Sequence, residues 1–256
     1  MNRVHGSKDF WIGALRSEGP AFRAAVAESA PDTPVLSCPG WTIADLTTHL
    51  ATLYAWVVSV ADRADATAPA QRPAPPESAQ IPDGLTALEF WQREYDRLLE
   101  LLERVDPEQP AWNWAPQPKK VAFWARRMAH ETAIHRWDAE MAIAAGQPIE
   151  TKLAADGITE VLDTFLPAGH RRAEGEWQGL VRLTSTDAHQ EWYVRLRGRG
   201  VALLDTGTIL DNHAHPALVQ VTGTASDLLL ALYGRVGLDS LGVQGDRHLI
   251  DGLRVG

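Results

Sequence analysis

Between about residues 119 and 145 the chain carries a helical periodicity that places charge where apolar side chains should stand. At spacings of three and four the seam runs Val121, Trp124, Met128, Glu131, His135, Asp138 and Ala142. Its first half is ordinary core, and its second half is two carboxylates and an imidazole. Burying such groups unpartnered costs several kcal/mol each, in order-of-magnitude terms, and a bound cation is one of the few things that offsets it. The seam therefore predicts a helix bundle with a metal site on its inner face.

Two ligands on one helix must lie three or four residues apart to reach the same ion. Glu131 and His135 satisfy this. His130 lies about 140° round the helix from His135. The histidines are also five apart instead of the four that a zinc-protease HExxH motif needs, so that motif is excluded. A third ligand must come from another helix. His49 borders the apolar stripe Ile43, Leu46, Leu50, Leu53, Val57 and Val60. Asp45, one turn before His49, and Asp138, one turn beyond His135, are placed to accept the second imidazole N–H of each histidine. Two histidines and one carboxylate leave coordination positions open, which marks a catalytic site. Zinc is the first choice, although the same set holds Fe(II) or another divalent ion. A solvated patch, or ion pairs from Glu131 and Asp138 to Arg126, Arg127 or Arg136, would use the same residues without a metal.

Composition narrows the field. The chain has 256 residues, 45% hydrophobic and 22% charged, with a net charge of −9. That balance suits a globular protein and argues against nucleic acid or an anionic membrane as partner. No signal-peptide core and no membrane-length apolar run stand out, so cytoplasmic residence is expected. A single cysteine, Cys38, excludes an internal disulfide and a CxxC zinc ribbon.

The first part of the chain reads as four helices. They run from a Ser7 N-cap to near Ser29, from a Thr42 N-cap through Val60, over 86–105, and over 119–145. An Ala/Pro-rich linker covers about 65–84. Beyond Pro148 the pattern changes to a short helix over 153–166, strands at 180–184, 192–196, 201–204 and 218–221, and helices at 226–235 and 246–253. The expectation is α+β overall, with a four-helix bundle over 1–147 and a smaller α+β domain over 148–256 built on a mostly antiparallel sheet.

The segments Trp41-Thr42-Ile43-Ala44-Asp45-Leu46-Thr47-Thr48-His49 and His130-Glu131-Thr132-Ala133-Ile134-His135-Arg136-Trp137-Asp138 together resemble the mycothiol-dependent maleylpyruvate isomerase family. The N-terminal half of that family is a DinB-like metal-binding bundle. Leu230-Ala231-Leu232-Tyr233-Gly234-Arg235 and Gly242-Val243-Gln244-Gly245-Asp246 resemble its smaller C-terminal domain. The resemblance implies a divalent metal, usually zinc, held by His49, Glu131 and His135. It also implies mycothiol as a low-molecular-weight thiol cofactor and a small-molecule electrophile as substrate.

A metal-bound thiol is deprotonated near neutral pH and becomes a nucleophile. It would add to an activated double bond to permit cis–trans rotation, or stay attached in an S-transfer. Anionic substrates need a cation, for which Arg235 is the candidate. The same arginine would also suit a helix C-terminus. Arg195 and Arg197 share one strand face, where solvent is the expected neighbour. Two rival readings are a metal-dependent hydrolase and a non-catalytic ligand-binding or sensor protein of the DinB-like superfamily.

Overall fold

The computed structural model describes residues 6–70, 80–204 and 218–255. The chain divides into two compact units, one formed by Gly6–Asn113 with Gln117–Gln147, the other by Trp114–Pro116 with Pro148–Gly256. Residues 71–79 of the Ala/Pro linker lie outside the described residues.

The first unit is a four-helix bundle of α1 (Lys8–Glu28), α2 (Ile43–Asp62), α3 (Ala87–Arg104) and α4 (Val121–Ala142). Three of these helices start where a hydroxyl can accept an otherwise unpaired backbone N–H. Ser7 caps Phe10, Thr42 caps Asp45, and Thr86 caps Glu89. At the latter two, the acidic side chain returns the favour to the cap residue and closes a capping box. α1 packs on α4 and α3, and α2 packs on α3 and α4. α2 and α4 are therefore neighbours, which brings their ligand-type side chains to one seam.

The stripe of α2 differs from expectation at one place. Tyr54 is buried and Leu53 only half-buried, because the Tyr54 hydroxyl finds Thr132 Oγ1 on α4 at 2.6 Å. By length and composition alone α2 would also pass for a membrane span, against the expectation that no run does so. Half of that window is buried inside the fold.

The second unit is built on a five-stranded sheet in the order β3-β2-β1-β4-β5. Its strands are β1 (Trp177–Ser185), β2 (Glu191–Gly198), β3 (Gly200–Leu204), β4 (Leu218–Gly223) and β5 (Gly242–Gly245). Only the β1–β4 pair is parallel. Val181, Val194 and Val219 align across three strands on one buried face. Helix α5 (Thr151–Glu160), which runs on into a π-helical turn at Val161–Phe165, covers that face through a 2.9 Å hydrogen bond from Trp192 Nε1 to Thr159 Oγ1. Helices α6 (Ala225–Leu232) and α7 (His248–Asp251) complete the unit.

Asp187, in the β1–β2 turn, ties the unit together. Its Oδ1 accepts from Ser185 Oγ and from the Ala225 N–H that opens α6, and its Oδ2 accepts from Thr151 at the start of α5. Burial opposes ionisation there, but these donors outweigh it and hold the carboxyl at about 2.

Candidate metal centre

His49 on α2 and Glu131 and His135 on α4 converge. Glu131 Oε1 lies 3.3 Å from His49 Nε2 and 3.3 Å from His135 Nε2. The three donor atoms all fall within 4.8 Å of one another. Ligands about 2.0–2.1 Å from a tetrahedral ion are separated by about 3.3 Å, so both nitrogen–oxygen edges have the dimension zinc requires. The imidazole rings meet edge-on, with centroids 5.2 Å apart.

Each ligand is oriented from behind. Asp138 Oδ2 accepts from His135 Nδ1 at 2.9 Å. That bond places the Nε2 lone pair of a neutral ring on the side of Glu131 and His49. Arg127, one turn before Glu131, holds Oε2 and leaves Oε1 to the histidines. Two imidazole nitrogens and a carboxylate oxygen so close together need a proton or a cation among them.

The electrostatics show how strong that need is. Burial alone would raise Glu131, but the Arg127 charge and the hydrogen bonds from His135 and His49 hold it well below the usual carboxylate range. Burial alone would lower His135, yet Asp138, Cys38 and Glu131 hold it well above the ordinary imidazole value. An ionised carboxylate set among imidazole nitrogens is a charge distribution that suits a divalent ion. His49 and Glu131 stay partly open to solvent, with 24% and 18% of their side chains exposed against 8% for His135. The approach to the centre therefore lies on the His49 and Glu131 side.

Asp45 does not serve His49 as expected. Its Oδ2 accepts from the Thr42 backbone N–H and hydroxyl at 2.8 and 2.7 Å. The helix start claims the carboxylate because its N–H groups have no other partner.

The turn before α2 contributes two groups that spacing did not reveal as neighbours of the site. Trp41 N–H donates to Cys38 O at 3.0 Å, closing a β-turn over Pro39 and Gly40. Gly40 sits at φ +86°, a conformation that favours glycine at this turn position, and Pro39 presets the position before it. The turn lays the Trp41 ring against His49, at 4.9 Å between centroids, and near His135 at 6.3 Å. It also brings Cys38 Sγ to 3.5 Å from Asp138 Oδ2.

Comparison with known families now bears on this geometry. The model for the mycothiol maleylpyruvate isomerase N-terminal domain matches residues 12–140, and that for the MDMPI C-terminal domain matches 152–252. The chain belongs to the mycothiol maleylpyruvate isomerase family.

Two solved structures show the same fold at low sequence identity. The crystal structure of a mycothiol-dependent maleylpyruvate isomerase is 12% identical over 93% of both chains, with a TM-score of 0.61. That of its histidine-to-alanine mutant is also 12% identical over 93% of both chains, at 0.62. No curated protein matches the chain.

Both domains of the family are thus represented here. In the C-terminal unit, Arg235 follows α6, where its Nη1 donates to the Tyr233 carbonyl at 3.0 Å and its guanidinium lies 5.9 Å from the Tyr233 ring centre. Trp112 and Trp114 both meet other aromatic side chains. Trp112 packs edge-on to Trp56, and Trp114 lies 4.6 Å from His170. Arg197 is exposed and Arg195 half-buried.

Proposed function

We propose that this protein is a divalent-metal-dependent enzyme, with zinc as the favoured ion, that uses mycothiol on a small electrophilic substrate. The reaction class is a maleylpyruvate isomerase-like cis–trans isomerisation or an S-transfer. Family membership supports the thiol and the reaction class. The observation that carries the metal is the approach of two imidazole nitrogens to one carboxylate oxygen at 3.3 Å each.

A divalent ion held by His49, Glu131 and His135 would lower the pKa of a thiol entering its open position and so make a nucleophile available at neutral pH. The chain's own residues prepare that position. Asp138 fixes the tautomer of His135, and Arg127 fixes which oxygen Glu131 offers. Trp41 walls the imidazoles and lowers the local dielectric, which strengthens every charge interaction there. Arg235 is the proposed partner for an anionic group of the substrate.

The hydrolase alternative needs a carboxylate free to act as a base. Asp138 is engaged by His135 and Cys38, which weighs against it.

Titrating metal-free protein with Zn2+ tests the centre. His49→Ala and Glu131→Ala are each expected to weaken uptake of the first equivalent by more than about 100-fold, beyond the cost of losing an outer hydrogen-bond partner. Parental affinity in both variants would sink the assignment. Turnover of maleylpyruvate with zinc but no mycothiol would sink the role given to the thiol.

A further inference from the structure

One imidazole serves two donor clusters. Nε2 of His135 faces Glu131 and His49, while Nδ1 lies 2.9 Å from Asp138 Oδ2. The same Asp138 oxygen lies 3.5 Å from Cys38 Sγ. One ligand atom each from Cys38, His135 and Asp138 lie within 4.8 Å of one another. We propose that these three residues form a second site, for a thiophilic divalent cation such as Zn2+ or Cd2+, with His135 as a bridge to the first.

The sulfur–oxygen edge and the chemistry agree, while the 2.9 Å nitrogen–oxygen edge is that of a hydrogen bond and opens by about 0.4 Å when an ion replaces the proton. A sulfur ligand at about 2.3 Å and a carboxylate oxygen at about 2.0 Å on a tetrahedral ion stand about 3.5 Å apart, the separation found here. A mixed S, N, O donor set selects zinc-like ions over magnesium or calcium. On binding, the Cys38 S–H and the His135 Nδ1–H protons leave for solvent. Two positive charges depart as two arrive, so the net charge of the cluster does not change. The β-turn through Pro39 and Gly40 holds Cys38 in place.

The two sites are antagonistic. A cation on Nδ1 replaces the hydrogen bond to Asp138 and stands close to a cation on Nε2, so the two positive charges repel and each ion binds less tightly in the presence of the other. Excess zinc therefore inhibits the enzyme, if the proposed function holds. The site itself rests on that reading only through the shared His135.

The test is a Co2+ titration of the metal-free full chain without any added thiol. The expected result is two equivalents, with an intense near-ultraviolet thiolate-to-cobalt band. With a single cysteine in the chain, that band has one possible source. Cys38→Ser is expected to abolish the band and reduce uptake to one equivalent. The double variant His49→Ala/Glu131→Gln is expected to keep the band while losing the other equivalent. Uptake of one equivalent without the band overturns the proposal, as does a band that survives in Cys38→Ser. One equivalent with the band supports the Cys38 site; if Cys38→Ser then takes up no cobalt, the His49–Glu131–His135 centre is overturned instead, so the two failures are distinct. The wild-type titration decides the matter even if a variant fails to fold.

Discussion

α3 and α4 belong to the same bundle and are of similar length, 18 and 22 residues, yet they are helical for different reasons. α3 is locally self-sufficient. It opens with a capping box, buries one face through Phe90, Trp91, Tyr95, Leu98, Leu101 and Leu102, and meets its buried Glu94 with Arg93 and Arg97. α4 starts at Lys120 without a side-chain cap and is buried almost continuously from Trp124 to Ala139. Its buried residues include Arg126, Arg127, His130, His135, Arg136 and Asp138. Such a helix is buried on nearly every side, with polar and apolar groups together, so its neighbours must supply the stability. The difference shows where the bundle gives up local stability to hold chemistry.

The buried charges of Arg127, His135, Arg136 and Asp138 each meet an ionisable partner, and this should be the easiest part of the contrast to break. Arg136 Nε meets Glu18 at 2.7 Å, and its Nη1 meets Glu140 at 2.6 Å. Arg136→Met strands both carboxylates and is expected to cost about 3–5 kcal/mol in chemical denaturation. A loss under about 1 kcal/mol would mean that α4 does not depend on its charge pairs.

On α3 the corresponding weak point is apolar. Leu98→Ala leaves a cavity at a fully buried position and is expected to cost about 3 kcal/mol, with metal uptake unchanged. A change in metal affinity in that variant would show that the two helices are not separable in this way.

The smallest effect sharpens the comparison most. Thr86→Ala removes the cap of α3 and is expected to cost about 1 kcal/mol. Lys120→Ala at the same position of α4 should stay within about 0.5 kcal/mol, because there is no cap hydrogen bond to lose. Equal costs would erase the distinction between a helix that starts itself and one that is held.

The same contrast explains what could be read from the residues. α1 and α2 announce themselves through the caps Ser7 and Thr42 and through apolar spacing. The convergence of Glu131 and His135 was legible because two groups four apart on a helix must face one way. His49 was legible because a polar ring sat beside an apolar stripe. Arg127 was legible only as one of three possible ion-pair partners, since a cation one turn before a glutamate reads equally well as a solvated pair. The nearness of Cys38 to Asp138 depends on a β-turn meeting a distant helix, which no local pattern encodes.

The strand β5 escaped for a plainer reason. Gly242-Val243-Gln244-Gly245 has one apolar residue and two glycines, and only its pairing with β4 makes it a strand. The parallel register of β1 on β4 likewise belongs to the pair and to neither strand alone.

The hold of Arg127 on one oxygen of Glu131 has a consequence for ion discrimination. A glutamate gripped in this way can offer only a single oxygen, so the two-oxygen embrace that calcium sites depend on is denied to it. With two nitrogens making up the rest of the protein's offer, hard oxygen-seeking ions find too few partners. At such a centre calcium would be turned away by denticity and magnesium by the two nitrogen ligands, without any narrowing of the entrance.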